Sequence, residues 1–187
     1  MSTPEDTPSF DTREDAALSR LHRARALVAE YNATASTDTD TRARLLDDLL
    51  AERAAGVWIE PPFFCDYGDN IALGAGVFIN TNCVFLDGAR ITIGEGTLLG
   101  PGVQIYATTH PIRADQRMYR KDGIPAYRTS AEPVTIGSNA WIGGGAIILP
   151  GVTIGNGTTV GAGSVVNRSL PDNVFAAGNP CRVVRQL

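Results

Sequence analysis

A period of six residues runs through the second half of the chain and constrains its fold more than any other feature. Every sixth position carries an aliphatic β-branched residue, without exception: Ile136, Ile142, Ile148, Ile154, Val160 and Val166. The position two residues before each is small or β-branched as well: Val134, Ala140, Ala146, Val152, Thr158 and Ser164. The chain is therefore expected to fold as a repeat protein.

The same phase extends toward the N-terminus. It is seen at Leu73, Ile79 and Phe85, shifts by two residues in the segment DGARIT, and resumes at Ile93, Leu99 and Ile105. Residues 106–133 interrupt it with a polar, charged stretch that has none of the pattern. We expect this stretch to leave the repeat body as a long loop.

A six-residue unit is too short to bury itself, so stacked units must share one core. Each unit supplies a short strand and a turn, with the β-branched side chain pointing inward. Glycine follows the inward residue at 137, 143, 155 and 161, where a tight corner is needed. A helix would rotate a six-residue pattern around its axis, so the period favours a mainly β, parallel solenoid over residues 57–187.

The first 56 residues differ from the repeat region. Residues 1 to about 9 are expected to form a tail, and apolar residues at three- and four-residue spacing predict an amphipathic helix from Glu14 to Tyr31. A second helix, capped by Thr39 or Asp40, would carry four leucines on one face. We expect both helices to pack on the solenoid.

Composition and charge exclude several functions. A formal net charge of -4 gives no general attraction to nucleic acid. Cys65, Cys83 and Cys181 have neither disulfide-framework nor metal-type spacing, so reduced thiols and no metal are expected. The sequence has no apolar run of membrane-spanning length and no targeting segment, which predicts a cytoplasmic protein with no membrane partner.

Four segments resemble one family closely. The residues IEPPF, GPGVQIYATTHP, VTIGSNAWIGGGAIILPGVTIG and AAGNPCRVVRQL follow one another as they do in the maltose, galactoside and nodulation-protein-L acetyltransferases. The resemblance covers residues 10–187. It implies a left-handed triangular β-helix, a homotrimer with active sites between neighbouring subunits, and acetyl-CoA as the acetyl donor for a sugar hydroxyl.

The resemblance also implies the catalytic residues. His110, in the THP segment, matches the general base of the family. An alcohol is a poor nucleophile until a base begins to remove its proton, and imidazole suits this task near neutral pH. The sequence has no Gly-x-Ser-x-Gly motif, which favours direct attack by the acceptor. Asn80 matches the asparagine that orients the acceptor and stabilises the oxyanion, although an asparagine at this turn can also be purely structural.

Further site residues follow from the same match. Asp11 and Asp66 correspond to positions that contact acceptor hydroxyls. Gly144 and Ala162 would lie beside the pantetheine arm of acetyl-CoA, and the basic tail would approach its phosphates through Arg168, Arg182 and Arg185. The implied reaction needs no metal.

Two other functions and one other acceptor class are alternatives to this hypothesis. A solenoid carbonic anhydrase binds its metal through three histidines, whereas this chain has only His22 and His110. A non-catalytic repeat scaffold stays open, since stacked repeats alone make stable interaction surfaces. Among enzymes, a non-sugar alcohol is the alternative acceptor. The long loop after His110 is the first candidate for an element that alters acceptor choice.

Overall fold

A parallel solenoid of short strands forms the body of the protein. The structure is a computed structural model and describes the backbone of residues 9–10 and all of residues 14–187. Three sheets form the sides of a prism. Sheet A contains β2 (Glu52–Arg53), β5 (Ile71–Leu73), β8 (Ile91–Ile93), β15 (Val134–Ile136) and β18 (Thr153–Ile154). Sheet B contains β3 (Trp58–Ile59), β6 (Phe78–Ile79), β9 (Leu98–Leu99), β16 (Trp141–Ile142), β19 (Thr159–Val160), β21 (Val174–Ala177) and β22 (Arg182–Gln186). Sheet C contains β4 (Phe63–Cys65), β7 (Cys83–Leu86), β10 (Gln104–Tyr106), β17 (Ile147–Ile148) and β20 (Val165–Val166).

The core is the predicted column of inward side chains. Ile136 pairs with Ile93 in one neighbouring coil and with Ile154 in the other, and each is at most 1% exposed. The residues two positions earlier in each repeat are buried too, including Thr158 and Ser164, whose hydroxyls donate to main-chain carbonyls at 2.7 and 2.6 Å. The six-residue period is therefore confirmed as the pattern that places side chains inside.

Corners between the sheets stack into three edges of the prism, and two of them matter for the site. The BC edge, between sheets B and C, is built from residues 60–62, 80–82, 100–103, 143–146 and 161–164. The CA edge, between sheets C and A, is built from 66–70, 87–90, 107–133, 149–152 and 167–170. Residues far apart in the chain therefore become neighbours along one edge.

The irregularities of the repeat lie on the CA edge. The coil from Ile136 to Ile154 takes 18 residues, whereas the coil from Leu73 to Ile93 takes 20. The two extra residues belong to the corner that begins at Asp87. One coil later, residues 107–133 leave the stack at the same edge. We name this segment the excursion.

The excursion has secondary structure of its own and is not the irregular loop that its composition suggested. It contains β11 (Thr108–Thr109), α3 (Ala114–Arg117), β12 (Met118–Lys121), β13 (Ile124–Tyr127) and β14 (Thr129–Ala131). β12 and β13 form an antiparallel hairpin around Asp122 and Gly123, both at positive φ, as a two-residue hairpin turn requires. β14 pairs with β11 and with β1 (Ser9–Phe10), so the N-terminal segment is joined to the excursion.

Two helices cover the start of the solenoid. α1 (Asp15–Asn32) and α2 (Thr39–Leu49) lie close to the predicted positions, and Leu45, Leu46 and Leu49 of α2 are buried. The cap prediction was wrong by one residue. Asp38 is the N-cap, since its carboxylate accepts the N–H of Thr41 at 3.2 Å, whereas Thr39 already has helical backbone. None of the described helices is long and apolar enough to cross a membrane.

The close stacking of coils at the corners generates a stability prediction. A Cβ at Gly94 would lie 2.5 Å from the main-chain nitrogen of Ser138 in the next coil, whereas a Cβ at Gly76, at φ +66°, would meet nothing within 4 Å. We expect Gly76→Ala to cost only the left-handed backbone strain of about 1–2 kcal/mol. Gly94→Ala should cost about 3 kcal/mol or more, because main chain must move. Urea unfolding of both variants measures the difference, and equal costs would contradict the steric explanation.

Candidate active site

Asp66 and Asp87 begin adjacent corners of the CA edge. Asp66 follows β4, and Asp87 follows β7 in the next coil. Asp87 is fully buried, and its Oδ1 accepts the N–H groups of Asp66 at 3.0 Å and Tyr67 at 2.9 Å. Asp87 therefore fixes the corner that carries Asp66. Asp87 was not predicted from the sequence, although the two-residue shift of the repeat in DGARIT marked its corner.

Asp66 lines a cleft between α1 and sheet C. The cleft has a volume of about 290 Å³ and a largely apolar wall. The residues that line it are Arg25, Val28, Ala29, Asn32, Phe64, Cys65, Asp66, Val84 and Leu86. Asn32 joins the two sides, since its side-chain amide donates to the carbonyl of Phe63 and accepts the N–H of Phe63, both at 2.9 Å. The cleft therefore has fixed walls and one ionisable carboxylate.

The surroundings of Asp66 favour its neutral form. Burial raises the pKa of Asp66 to about 6, the negative charge of Asp87 acts in the same direction, and Arg25 opposes both. Asp66 is thus a carboxylate near neutral pH but is protonated in mild acid. As a carboxylate it accepts hydrogen bonds from hydroxyl groups and donates none.

His110 lies on the same edge, in the excursion just after β11. Its Nδ1 is 2.8 Å from the main-chain carbonyl oxygen of Arg128. A carbonyl oxygen only accepts, so Nδ1 carries the proton and donates it to this bond. The neutral ring is then held as the tautomer whose Nε2 has a free lone pair. The side chain is exposed in the single chain, and Nε2 can accept a proton from a bound molecule.

Asn80 lies on the BC edge, after β6. Its Oδ1 accepts the N–H of Thr81 at 2.8 Å, and no hydrogen bond joins its Nδ2 to any other described residue. The amide therefore presents a free N–H₂ donor. Gly144 and Ala162 follow on the same edge, two and three coils further along. A Cβ at Gly144 would lie 3.0 Å from the carbonyl oxygen of Pro101, so the absence of a side chain there has a structural reason.

Sheet C separates the two edges in any one chain. Its strands are two to four residues long, so with the corners the edges are roughly 10–15 Å apart. Asp66 and His110 lie on one side of this sheet, and Asn80, Gly144 and Ala162 lie on the other. A single chain does not bring His110 and Asn80 into contact with the same atom.

Family comparisons agree with this fold. Residues 15–53 match the model described as "Maltose acetyltransferase hexapeptide capping motif", and residues 133–168 match "Bacterial transferase hexapeptide (six repeats)". Nodulation protein L of Rhizobium meliloti (strain 1021) is 48% identical over 163 residues, which cover 87% of this chain and 85% of that protein. The chain belongs to the hexapeptide-repeat acetyltransferases.

Solved structures of this acetyltransferase family superpose well on the chain. A galactoside acetyltransferase in complex with coenzyme A matches with a TM-score of 0.89 and 35% identity, covering 97% of this chain and 88% of the other. A maltose O-acetyltransferase from Clostridium difficile 630 matches with a TM-score of 0.89 and 37% identity, covering 97% and 93%. The matches span the helices, the solenoid and the excursion together.

The remaining predicted residues lie toward the ends of the chain. Arg168 follows β20 and is exposed, and Arg182 and Arg185 lie on exposed β22. Nη1 of Arg182 donates to the side chain of Asn167 at 3.2 Å and to the carbonyl of Cys181 at 2.7 Å. Asp11 lies outside the described residues. Within residues 14–187, no group of three or more histidine, cysteine or acidic side chains could hold a metal ion.

The raised pKa of Asp66 generates a stability prediction. Because the pKa of this carboxyl is about 6 in the fold against 3.8 as the reference, folding favours its protonated form. Its stabilising contribution is present below pH 3.8 and is lost as the pH rises through about 6. Asp66→Asn cannot ionise, so we expect it to raise Tm by a few degrees at pH 8 and to leave Tm almost unchanged at pH 4.

A matched control comes from Asp47, whose hydrogen bond from Arg53 holds the pKa of that carboxyl below its usual value. Asp47→Asn should give no gain in Tm at pH 8. Thermal unfolding at both pH values measures each variant. An Asp66→Asn protein with the same Tm as wild type at pH 8 would contradict the burial argument.

Proposed function

We propose that this chain is an acetyl-CoA-dependent O-acetyltransferase that transfers the acetyl group to a hydroxyl of a sugar, with His110 as general base. The observation that carries the proposal is the bond from Nδ1 of His110 to the carbonyl of Arg128 at 2.8 Å. This hydrogen bond leaves Nε2 as the basic nitrogen, and it stabilises the imidazole ring when the ring becomes positively charged.

The proposed reaction has one tetrahedral intermediate. The acceptor oxygen attacks the thioester carbonyl while Nε2 of His110 removes the hydroxyl proton. The carbonyl oxygen becomes negatively charged, and the free Nδ2 donor of Asn80 stabilises it. The intermediate then breaks its carbon–sulfur bond, and the imidazolium returns the proton to the CoA sulfur. The products are the acetyl ester and CoA, and no acyl-enzyme forms.

The acceptor is proposed to lie along the CA edge. Asp66 and the segment that carries His110 are two coils apart, roughly 10 Å along the axis. If the acceptor makes one hydrogen bond of about 2.8 Å to each of these two residues, roughly 4–5 Å remains between its two hydroxyl oxygens. This distance is about the width of a single sugar ring. Asp66 would accept from one hydroxyl while another reacts at His110, and Asp11 is proposed as a second acceptor contact. The apolar cleft wall suits the carbon face of such a ring.

The BC edge is proposed to bind acetyl-CoA. Two related structures contain CoA or its acetyl form, which supports the same donor here. Gly144 and Ala162 would leave main-chain groups accessible to the amides of the pantetheine arm. Arg168, Arg182 and Arg185 would supply positive charge for the nucleotide phosphates. Because acetyl-CoA is a cytoplasmic metabolite, we expect the enzyme to act in the cytoplasm.

The separation of the two edges supports a homotrimer with the site between subunits. A neighbouring copy would supply Asn80 to the His110 of the first. The outward row of sheet B is apolar and exposed in the single chain: Trp58 at 38%, Leu98 at 47% and Trp141 at 56%. Burying this row between subunits would remove it from water.

The two histidines allow a direct test of the proposed base. His110→Ala should lower kcat by roughly 10² to 10⁴ fold with little change in the KM for acetyl-CoA. His22 is exposed on α1, so His22→Ala is the matched control and should keep wild-type turnover. Release of CoA thiol in the presence of a panel of sugars and non-sugar alcohols measures both variants and identifies the acceptor. A folded His110→Ala protein with wild-type kcat would exclude the mechanism.

Mixing variants tests whether one site takes residues from two subunits. Asn80→Ala should lower kcat by roughly 10² to 10³ fold if Asn80 donates to the oxyanion. When His110→Ala and Asn80→Ala chains are unfolded, mixed in equal amounts and refolded, about a quarter of the interfaces should join an intact His110 to an intact Asn80. Activity should therefore recover to about a quarter of wild type. No recovery, with mixed trimers verified, would place both residues of each site in one chain.

A further inference from the structure

A closed ring of hydrogen bonds supports the main-chain carbonyl that contacts His110. Arg128 lies between β13 and β14, and its carbonyl accepts from Nδ1 of His110. The N–H of Arg128 donates to the carbonyl of Arg117 at 2.9 Å. Nη2 of Arg117 donates to the carbonyl of Ile112 at 3.1 Å, two residues after His110. The chain from His110 to Ile112 completes the ring.

We propose that Arg117 is a positioning residue for the general base. Its carbonyl orients the peptide of Arg128, and its guanidinium holds the turn that follows His110. Together these bonds keep the Arg128 carbonyl within hydrogen-bond distance of Nδ1. Nε2 therefore remains the nitrogen that removes the proton from the acceptor hydroxyl. The proposal rests on the general-base role of His110 proposed above.

The surroundings of the turn explain why one exposed arginine matters. The segment from Pro111 to Arg113 lies between the end of β11 and the start of α3 and pairs with no strand. The side chain of Ile112 is 88% exposed, so it does not anchor the turn by packing. The Arg117 bond to the Ile112 carbonyl therefore restrains the turn directly, on the side of His110 away from β11.

The other basic side chains of the excursion make contacts elsewhere. Arg113 pairs with Asp115 at 2.8 Å, and the guanidinium of Arg128 lies 5.6 Å from the ring centre of Tyr119. Arg120 donates to the carbonyl of Gly123 at 2.7 Å, at the far end of the hairpin. Arg120 thus makes the same kind of bond as Arg117, from an exposed guanidinium to a main-chain carbonyl, but outside the ring.

Kinetics of matched variants are the first measurement. Arg117→Met keeps the aliphatic stem and removes the donors, and Arg117→Ala removes both. Each should lower kcat roughly 5- to 10-fold, about the effect of one hydrogen bond, without changing the KM for acetyl-CoA. Arg120→Ala should keep wild-type kcat. All three should unfold within a few degrees of wild type, since the substituted side chains are exposed.

The tautomer of His110 is the second measurement and separates positioning from a general structural effect. The chain has two histidines, so ¹⁵N spectra of histidine-labelled protein contain two rings, and His22→Gln assigns them. At about pH 8.5, where imidazoles are neutral, wild type and Arg120→Ala should show His110 with the proton only on Nδ1. Both Arg117 variants should show His110 as a mixture of the two tautomers.

A loss of kcat together with the mixed tautomer supports the proposal. A loss of kcat with the wild-type tautomer would overturn it, as would a mixed tautomer with unchanged kcat or no change in either. If His110→Ala keeps full activity, the proposed base is wrong instead, and the tautomer spectra still report whether Arg117 holds the ring.

Discussion

The stacking of identical inward positions in successive coils is the constraint on which the rest of the structure depends. Each inward residue lies over its equivalent in the next coil, as Ile93, Ile136 and Ile154 do. Because the strands are in fixed register, the corners are in register as well, and each edge of the prism becomes a straight row. A row of this kind joins positions that are distant in sequence. Asp66, Asp87 and the start of the excursion share the CA edge for this reason alone, before any contact between their side chains is considered.

The repeat itself could be predicted from the sequence because the inward position is decided within each unit. Ile136 and Val166 are recognisable by type and spacing alone, and both are buried. The excursion could not be predicted in the same way, since its strands pair with each other and with Ser9–Phe10 and not with the stack. One local signal was nevertheless present. Asp122-Gly123 is the typical dipeptide of a two-residue hairpin turn, and it marks the β12–β13 hairpin that composition alone suggested to be loop.

The candidate site was predictable in part. The resemblance pointed to His110, and the structure places it at the edge where the chain leaves the stack. Its partner, the carbonyl of Arg128, is 18 residues away across a hairpin, and no spacing rule predicts that bond. The cleft beside Asp66 was missed because α1 supplies one wall. Helical periodicity showed that α1 has a buried face, but it did not show which sheet that face would meet. The general-base role of His110, the acceptor contacts of Asp11 and Asp66, the role of Asn80 and the cofactor contacts stay predictions.

The two edges have different proposed functions, and they differ in how closely each one follows the six-residue repeat. Acetyl-CoA would be the same donor for every member of such a family, and the BC edge that would bind it follows the repeat closely at Gly144 and Ala162. The acceptor would be the substrate that differs between members of the family. The CA edge departs from the six-residue repeat at each place where the acceptor is proposed to bind. The corner that begins at Asp87 has two extra residues, the excursion carries His110, and α1 forms one wall of the cleft beside Asp66. The sequence of each of these irregular segments can change without disturbing the inward-pointing core residues, because side chains at the edges are not part of the core. A solenoid of this kind can therefore keep one donor site and acquire new acceptors through its irregular edge.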